Sequence, residues 1–283
     1  MPNFTVNDAA TGRSGAIHYE HHLISTEPSG PARPTVVLAH GWGMSTRAWD
    51  DTTAWLIDEG YPVLSFDQRN CGASDKDFVD VSIQALADDL ATLVDALKLS
   101  AVVLNGWSLG GAVVVEAAPK LTARLRGIVS TCGATPRYTQ ADGFPHGGTA
   151  EDVAGTVTAL RADRVNFLQA LYSEGAFAKP VSDAIKHWAH SIALQASPAA
   201  DASLGALAHS DQRDILQQIQ APGLFISGSA DGVVDPAIGE FAAELCPNGQ
   251  LVVLEGCGHT PFIEDPAAYR AALSPFLTSV SGT

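Results

Sequence analysis

Apolar residues along this chain gather into short runs that alternate with stretches of helical period. Strand-like runs cover Ala16 to Ile24, Thr35 to His40, Pro62 to Asp67, Ala101 to Gly106, Leu125 to Thr131, Gly223 to Ser227 and Gln250 to Glu255. Between most of them the spacing changes. From Ser82 to Leu97, for example, Ile83, Leu86, Leu90, Leu93 and Leu97 recur every three to four residues, as one face of a helix does. Strands alternating with helices predict an α/β fold, a mainly parallel sheet covered on both faces. Ligands of such sheets bind beyond the carboxyl ends of the strands, so the loops that follow strands are where chemistry is expected.

The rhythm breaks once. From Pro136 to Ala208 there is no strand-like run; Gly143, Pro145, Gly147 and Gly148 cluster early, and apolar residues then recur at helical spacing. This predicts a helical insertion, a lid over the sheet edge, with the core resuming near Asp211. The expected division is residues 1–135 and 209–283 for the core and 136–208 for the lid.

Composition narrows the class. With 283 residues, 46% hydrophobic and 17% charged, the chain can bury a large core. No apolar run is long enough to span a membrane, and Met1 to Thr5 lacks the basic and apolar regions of a signal peptide. A net charge of −15 argues against nucleic acid and anionic membrane as partners. The four cysteines, Cys71, Cys132, Cys246 and Cys257, lie far apart without metal-site spacing. They suggest reduced, buried thiols in a cytoplasmic protein.

One segment carries more chemistry than any other. Asn105-Gly106-Trp107-Ser108-Leu109-Gly110-Gly111 follows an apolar strand and opens onto a helix-compatible run. A serine at such an apex is forced into a strained turn that only small flanking residues permit. The turn lifts Oγ above the sheet edge, beside the free N–H groups of the next helix. Ser108 is therefore the candidate nucleophile.

An activated serine needs a base, and the base needs an orienting group. His259 lies in Gly256-Cys257-Gly258-His259-Thr260-Pro261, a loop directly after a strand and free to reach a neighbouring strand end. His18, His21 and His22 belong to a strand, His187 and His190 to the lid, and these read as packing or surface residues. Asp231 also follows a strand directly. Asp235 is its rival, but an aspartate before Pro236 ordinarily caps a helix, which favours Asp231. In His40-Gly41-Trp42-Gly43 the glycines let the Trp42 N–H turn toward Ser108. Paired with the Leu109 N–H it would form an oxyanion hole worth on the order of 3 kcal/mol per donor. His40 reads as structural. From the lid, Phe144, Phe167, Leu171 and Trp188 are the candidates for a mainly apolar pocket, although Phe167, Leu168 and Leu171 at helical spacing are more often core.

These motifs together resemble the serine hydrolases of the α/β-hydrolase fold superfamily, over nearly the whole chain. The matching pieces are His40 to Gly43, Asp67 to Ser74, the turn at Ser108, Gly228 to Asp231, and Gly258 to Phe262. The resemblance is greatest to small capped carboxylesterases such as the pimeloyl-carrier-protein methyl ester esterases. It implies an eight-stranded, mainly parallel sheet with a helical cap, Ser108 as nucleophile, Asp231 as acid, His259 as base, and Trp42 and Leu109 as oxyanion donors. Two departures stand out. Asn70 occupies a turn position where the family usually has glycine, and asparagine tolerates the positive φ required there. The lid carries five basic residues (Arg137, Arg161, Arg164, Lys179, Lys186) against seven acidic ones, a balance of −2, where docking to an acidic carrier protein calls for a basic surface.

The expected activity is hydrolysis of small-molecule carboxylic esters through an acyl-enzyme, without metal or cofactor. Cleavage of a C–C bond beside a carbonyl, perhydrolysis and cofactor-free oxygenation use the same triad, and the sequence leaves them open.

Overall fold

The computed structural model describes residues 2–24 and 33–282. Its strands are β1 (Asn3–Asp8), β2 (Arg13–His22), β3 (Thr35–Ala39), β4 (Val63–Phe66), β5 (Val102–Trp107), β6 (Leu125–Thr131), β7 (Gly223–Gly228) and β8 (Gly249–Leu254). They form one sheet in the order β1-β2-β4-β3-β5-β6-β7-β8. β2 runs antiparallel to β1 and to β4, and every other neighbouring pair is parallel. β3, β4, β5 and β7 are buried at every residue. Only a sheet covered on both faces allows that, which is why these strands read as unbroken apolar runs.

The helices are α1 (Asp50–Asp58), α2 (Ile83–Ala96), α3 (Leu109–Ala117), α4 (Ala150–Ala162), α5 (Arg164–Ala170), α6 (Asp183–Ala193), α7 (Ala202–His209), α8 (Arg213–Gln218), α9 (Pro236–Leu245), α10 (Pro261–Glu264) and α11 (Pro266–Val280). Alternate strand residues feed opposite layers, as the pleat dictates. Val36, Leu38 and Val103 pack with Leu56 of α1 and Leu273 and Leu277 of α11. Val37, Ala39 and Leu104 pack with Leu86, Leu90 and Leu93 of α2 and Val113 of α3. α2 starts where its sequence says it should: the Ser82 side chain accepts from the Ala85 N–H and caps it.

Between β6 and β7 the chain leaves the sheet through α4, α5, a π turn over Leu171–Gly175, α6 and α7. Two isolated bridges, Thr139 to Gly148 and Ala141 to Phe144, precede these helices. Among the described residues no helix is long and apolar enough to cross a membrane.

The apolar pattern did not announce β1, whose sequence offers only Phe4 and Val6. Pairing makes it a strand: Asn3–Asp8 lies residue for residue along Arg13–His18. The same pairing starts β2 at Arg13, earlier than its apolar run suggests, and β2 ends at His22, short of Ile24. The helix expected from Asp211 begins at Arg213, because the Asp211 carboxylate instead receives Arg137 and Arg213.

The turn after β4 keeps its shape without the family's usual glycine. Asn70 adopts a φ of 64° and is fully buried. Its side chain donates to the Phe78 carbonyl at 2.9 Å and accepts the Phe78 N–H at 3.1 Å. Asp67 holds the same turn by accepting the N–H groups of Thr46 and Ala73, each at 2.7 Å. Asn70→Ala should therefore lower stability by about 2–4 kcal/mol, the sum of two buried hydrogen bonds and a left-handed residue deprived of local support. Urea unfolding checks this, with Asn70→Gly expected to lose less because glycine recovers the backbone part.

Candidate active site

β5 passes into α3 through Ser108, whose φ of 57° and ψ of −122° are strained for a residue with a Cβ. The surroundings hold it there. Its N–H donates to the Thr131 carbonyl at 3.1 Å, and its carbonyl accepts the N–H groups of Gly111 at 2.9 Å and Ala134 at 3.0 Å. The flanking glycines are steric necessities. A Cβ on Gly106 would lie 2.0 Å from the Gly110 oxygen, and one on Gly110 would lie 2.2 Å from the Ala39 oxygen.

His259 stands in the loop between β8 and α10, and its Nδ1 lies 2.8 Å from Oδ2 of Asp231, in the loop after β7. The Asp231 Oδ1 accepts the N–H groups of Val233 at 2.8 Å and Val234 at 3.0 Å, which fixes the carboxylate. An ionised carboxylate only accepts, so Nδ1 carries the proton and Nε2 is left with a free lone pair. Burial pushes the Asp231 carboxyl up, but the imidazole of His259 and the N–H groups of Val234 and Val233 outweigh it and hold the carboxyl below its usual range. Asp235 does other work: it caps α9 by accepting the Ala237 N–H at 3.0 Å, with Pro236 in the first turn.

Ser108 and His259 line one cleft of about 60 Å³, together with Gly41, Trp42 and Leu109. Among the described residues neither the Trp42 nor the Leu109 backbone N–H meets a protein acceptor. The Trp42 side chain is tied elsewhere, its indole N–H donating to the Ala200 carbonyl at 3.3 Å. The cleft walls are apolar and come mostly from the excursion between β6 and β7: Tyr138, Leu171, Tyr172, Leu204 and Leu207.

Of the four residues expected to line the pocket, Leu171 does so. Phe144 is instead fully buried edge-on to Phe241 of α9, with ring centroids 5.0 Å apart. Phe167 and Trp188 pack against the core, since helices laid over a sheet must first cover it. Leu204 and Leu207, one turn apart on α7, carried a readable signal; Tyr138, in a stretch without periodicity, did not.

Cys132 also arrives unannounced. It takes a φ of 44° at the end of β6, and its Sγ lies within 4.8 Å of donor atoms of Asp231 and His259. Burial, reinforced by Asp231, pushes this thiol well above its ordinary range. A protonated thiol beside an already bonded carboxylate and imidazole suits packing better than metal ligation, which needs the thiolate.

The sequence profile of the alpha/beta hydrolase fold matches residues 34–266. The chain belongs to the alpha/beta hydrolase fold family. Among its relatives, AB hydrolase superfamily protein YisY of Bacillus subtilis is 28% identical over 269 residues, covering 92% of this chain and 97% of that protein. A pimeloyl-[acyl-carrier protein] methyl ester esterase of Aeromonas salmonicida is 32% identical over 247 residues, covering 83% and 92%. A solved esterase from Exiguobacterium antarcticum superposes with a TM-score of 0.88 at 25% identity, covering 97% of this chain and 98% of that one.

In this member of the alpha/beta hydrolase fold family, the imidazole loop is braced from several sides. Trp107, the residue before the strained serine, donates its indole N–H to the His259 carbonyl at 2.8 Å. The Glu264 carboxylate accepts from the N–H of Gly258 at 2.9 Å and from the N–H and hydroxyl of Thr260 at 3.0 and 3.1 Å. The same carboxylate receives the N–H groups of Ala178 at 2.9 Å and Lys179 at 2.8 Å. The backbone N–H of His259 itself donates to the Ala176 carbonyl at 3.0 Å. A Cβ on Gly258 would lie 2.7 Å from the Ala178 nitrogen, so only glycine allows this approach. His40 is structural, as its place suggested. Its Nε2 accepts the Gln68 N–H at 2.9 Å, its Nδ1 bonds the Gly41 carbonyl at 2.8 Å, and burial pushes its pKa down, keeping it neutral.

Two measurements follow from this bracing. Glu264→Gln turns one acceptor oxygen into a donor facing N–H groups, and should lower stability by about 2–4 kcal/mol in urea unfolding. Asp231 titrates below its unfolded value of 3.8. Its contribution is therefore complete above about pH 4 and is lost as pH falls through the lower folded value. Asp231→Asn should flatten the loss of stability as pH falls below about 4, read as the shift of the urea midpoint.

Proposed function

We propose that this protein is a serine hydrolase that cleaves small to medium, largely apolar carboxylic esters through an acyl-enzyme. The observation that carries this reading is the 2.8 Å bond between Asp231 and Nδ1 of His259, beside the cleft that His259 shares with the strained Ser108. The bond commits the imidazole proton to Nδ1 and leaves Nε2 as the base. Nε2 takes the Ser108 proton as Oγ attacks the ester carbonyl carbon. The N–H groups of Trp42 and Leu109 receive the resulting oxyanion. Collapse of the tetrahedral species breaks the bond to the alcohol oxygen, which leaves with the proton from Nε2. Water then gives a proton to Nε2 and attacks the acyl carbon, and Ser108 departs with that proton restored.

The relatives bearing esterase names support the reaction class. The charge of the excursion supports a small molecule over an acidic carrier protein. Three of its basic residues, Arg137, Arg164 and Lys179, are engaged by Asp211, Asp201 and Asp265. That leaves little positive surface for such a partner.

Ser108→Ala should lower kcat/KM on a short 4-nitrophenyl ester by at least about 10⁴-fold without changing the unfolding midpoint. An organophosphonate should label Ser108 stoichiometrically, seen by mass spectrometry, and stop turnover. Failure of the wild type to hydrolyse any ester, thioester or lactone would end this reading. Full turnover after labelling, with a requirement for O₂, would favour cofactor-free oxygenation, while C–C bond hydrolysis and perhydrolysis would show in a substrate panel.

A further inference from the structure

A second cavity, of about 380 Å³, lies beside the 60 Å³ cleft that holds Ser108. Tyr138 and Val233 line both spaces. Tyr138 follows β6, Val233 follows β7, and the phenolic O–H of the first donates to the carbonyl of the second at 3.2 Å. Burial, helped by the nearby Asp231 carboxylate, pushes this phenol's pKa up, so it remains a protonated donor. Tyr138, bonded to the Val233 backbone, and Val233 itself thus stand between the small space and the large one.

The partition is weak by construction. A single neutral, partly exposed hydrogen bond biases an equilibrium by roughly fivefold. A short acyl group can fill the cleft with the partition closed, but each further methylene needs Tyr138 to give way. Beyond it the larger cavity is walled by Val153, Thr156 and Pro236 and by three aspartates, Asp152, Asp231 and Asp235. An apolar arm or one with a cationic end can lie there, whereas a terminal carboxylate would face like charge.

We infer that the larger cavity is the subsite for the long arm of the ester, and that Tyr138 sets how long that arm can be. The inference rests on ester hydrolysis at Ser108 and narrows its substrate class to esters with a neutral or cationic arm, as against half-esters of dicarboxylic acids.

The test uses 4-nitrophenyl acetate, butyrate and octanoate and mono-4-nitrophenyl suberate with the full chain, its Tyr138→Ala and Tyr138→Phe variants, and Val233→Ala. The wild type should lose kcat/KM between butyrate and octanoate. Tyr138→Ala should raise the octanoate-to-acetate ratio at least tenfold, since each methylene admitted is worth up to about fourfold. Tyr138→Phe, which cuts only the hydrogen bond, should raise it less. If Tyr138→Ala does not fold, Val233→Ala trims the same partition and should shift the ratio in the same direction. In the widened variants octanoate should be preferred to the suberate half-ester at least tenfold. Unchanged ratios in folded variants that still hydrolyse acetate overturn the inference and leave the esterase reading standing. Loss of both activities in folded variants overturns it too, because Tyr138 would then act on the chemistry and not on length. Equal use of the suberate half-ester overturns the charge assignment. No ester hydrolysis by the wild type removes the esterase reading and this inference together.

Discussion

The closeness of backbone to backbone around Ser108 governs the rest of the site. The strand before it and the helix after it approach until Gly106 touches Gly110, while Gly110 presses on the end of β3 and Gly111 on Gly133. Gly41 then lies against the Ser108 Cβ. Side chains at these positions would push apart the three strand ends whose loops carry Ser108, Trp42 and Cys132. The left-handed serine costs on the order of 1–3 kcal/mol, offset by the packing of β5 between β3 and β6. The Gly-x-Ser-x-Gly spacing is thus a packing requirement, which holds a largely buried serine in the wall of the cleft.

Electrostatics completes what packing begins. The Asp231 carboxylate has one oxygen committed to the imidazole and the other to two backbone N–H groups. It can neither rotate away nor readily take up a proton near neutral pH, so the tautomer of His259 is decided before any substrate arrives. Glu264 plays the matching part for the backbone, anchoring the loop on which the imidazole rides.

Much of this was legible in the sequence, for reasons that differ by element. β3, β5 and β7 announce themselves because burial on both faces demands unbroken apolar runs. Asp231 could be told from Asp235 because Pro236 marks a helix start, and the structure has Asp235 capping that helix. β1 escaped because pairing with β2, and not its own pattern, makes it a strand. The cleft-lining residues were the hardest to foresee. Phe144, Phe167 and Trp188 have the character of pocket residues, but Phe144 lies in the irregular stretch before α4, and for Phe167 and Trp188 which side of a helix faces a cavity depends on how the helices cross, which period alone does not encode. The brace at Glu264 left no periodic trace either, since its partners are backbone groups of a segment some eighty residues earlier.

That brace ties two things together that could have been independent. Ala176 lines the cleft beside the serine, and Ala176, Ala178 and Lys179 are all hydrogen-bonded to the segment bearing His259. This wall of the cleft and the imidazole are therefore held by one set of hydrogen bonds. Were that corner to lift, it would carry the imidazole away from Ser108 with it. Elsewhere the space is closed by Leu204 and Leu207 of α7 and by Tyr138, which bonds the carbonyl of the same Val233 whose N–H holds Asp231.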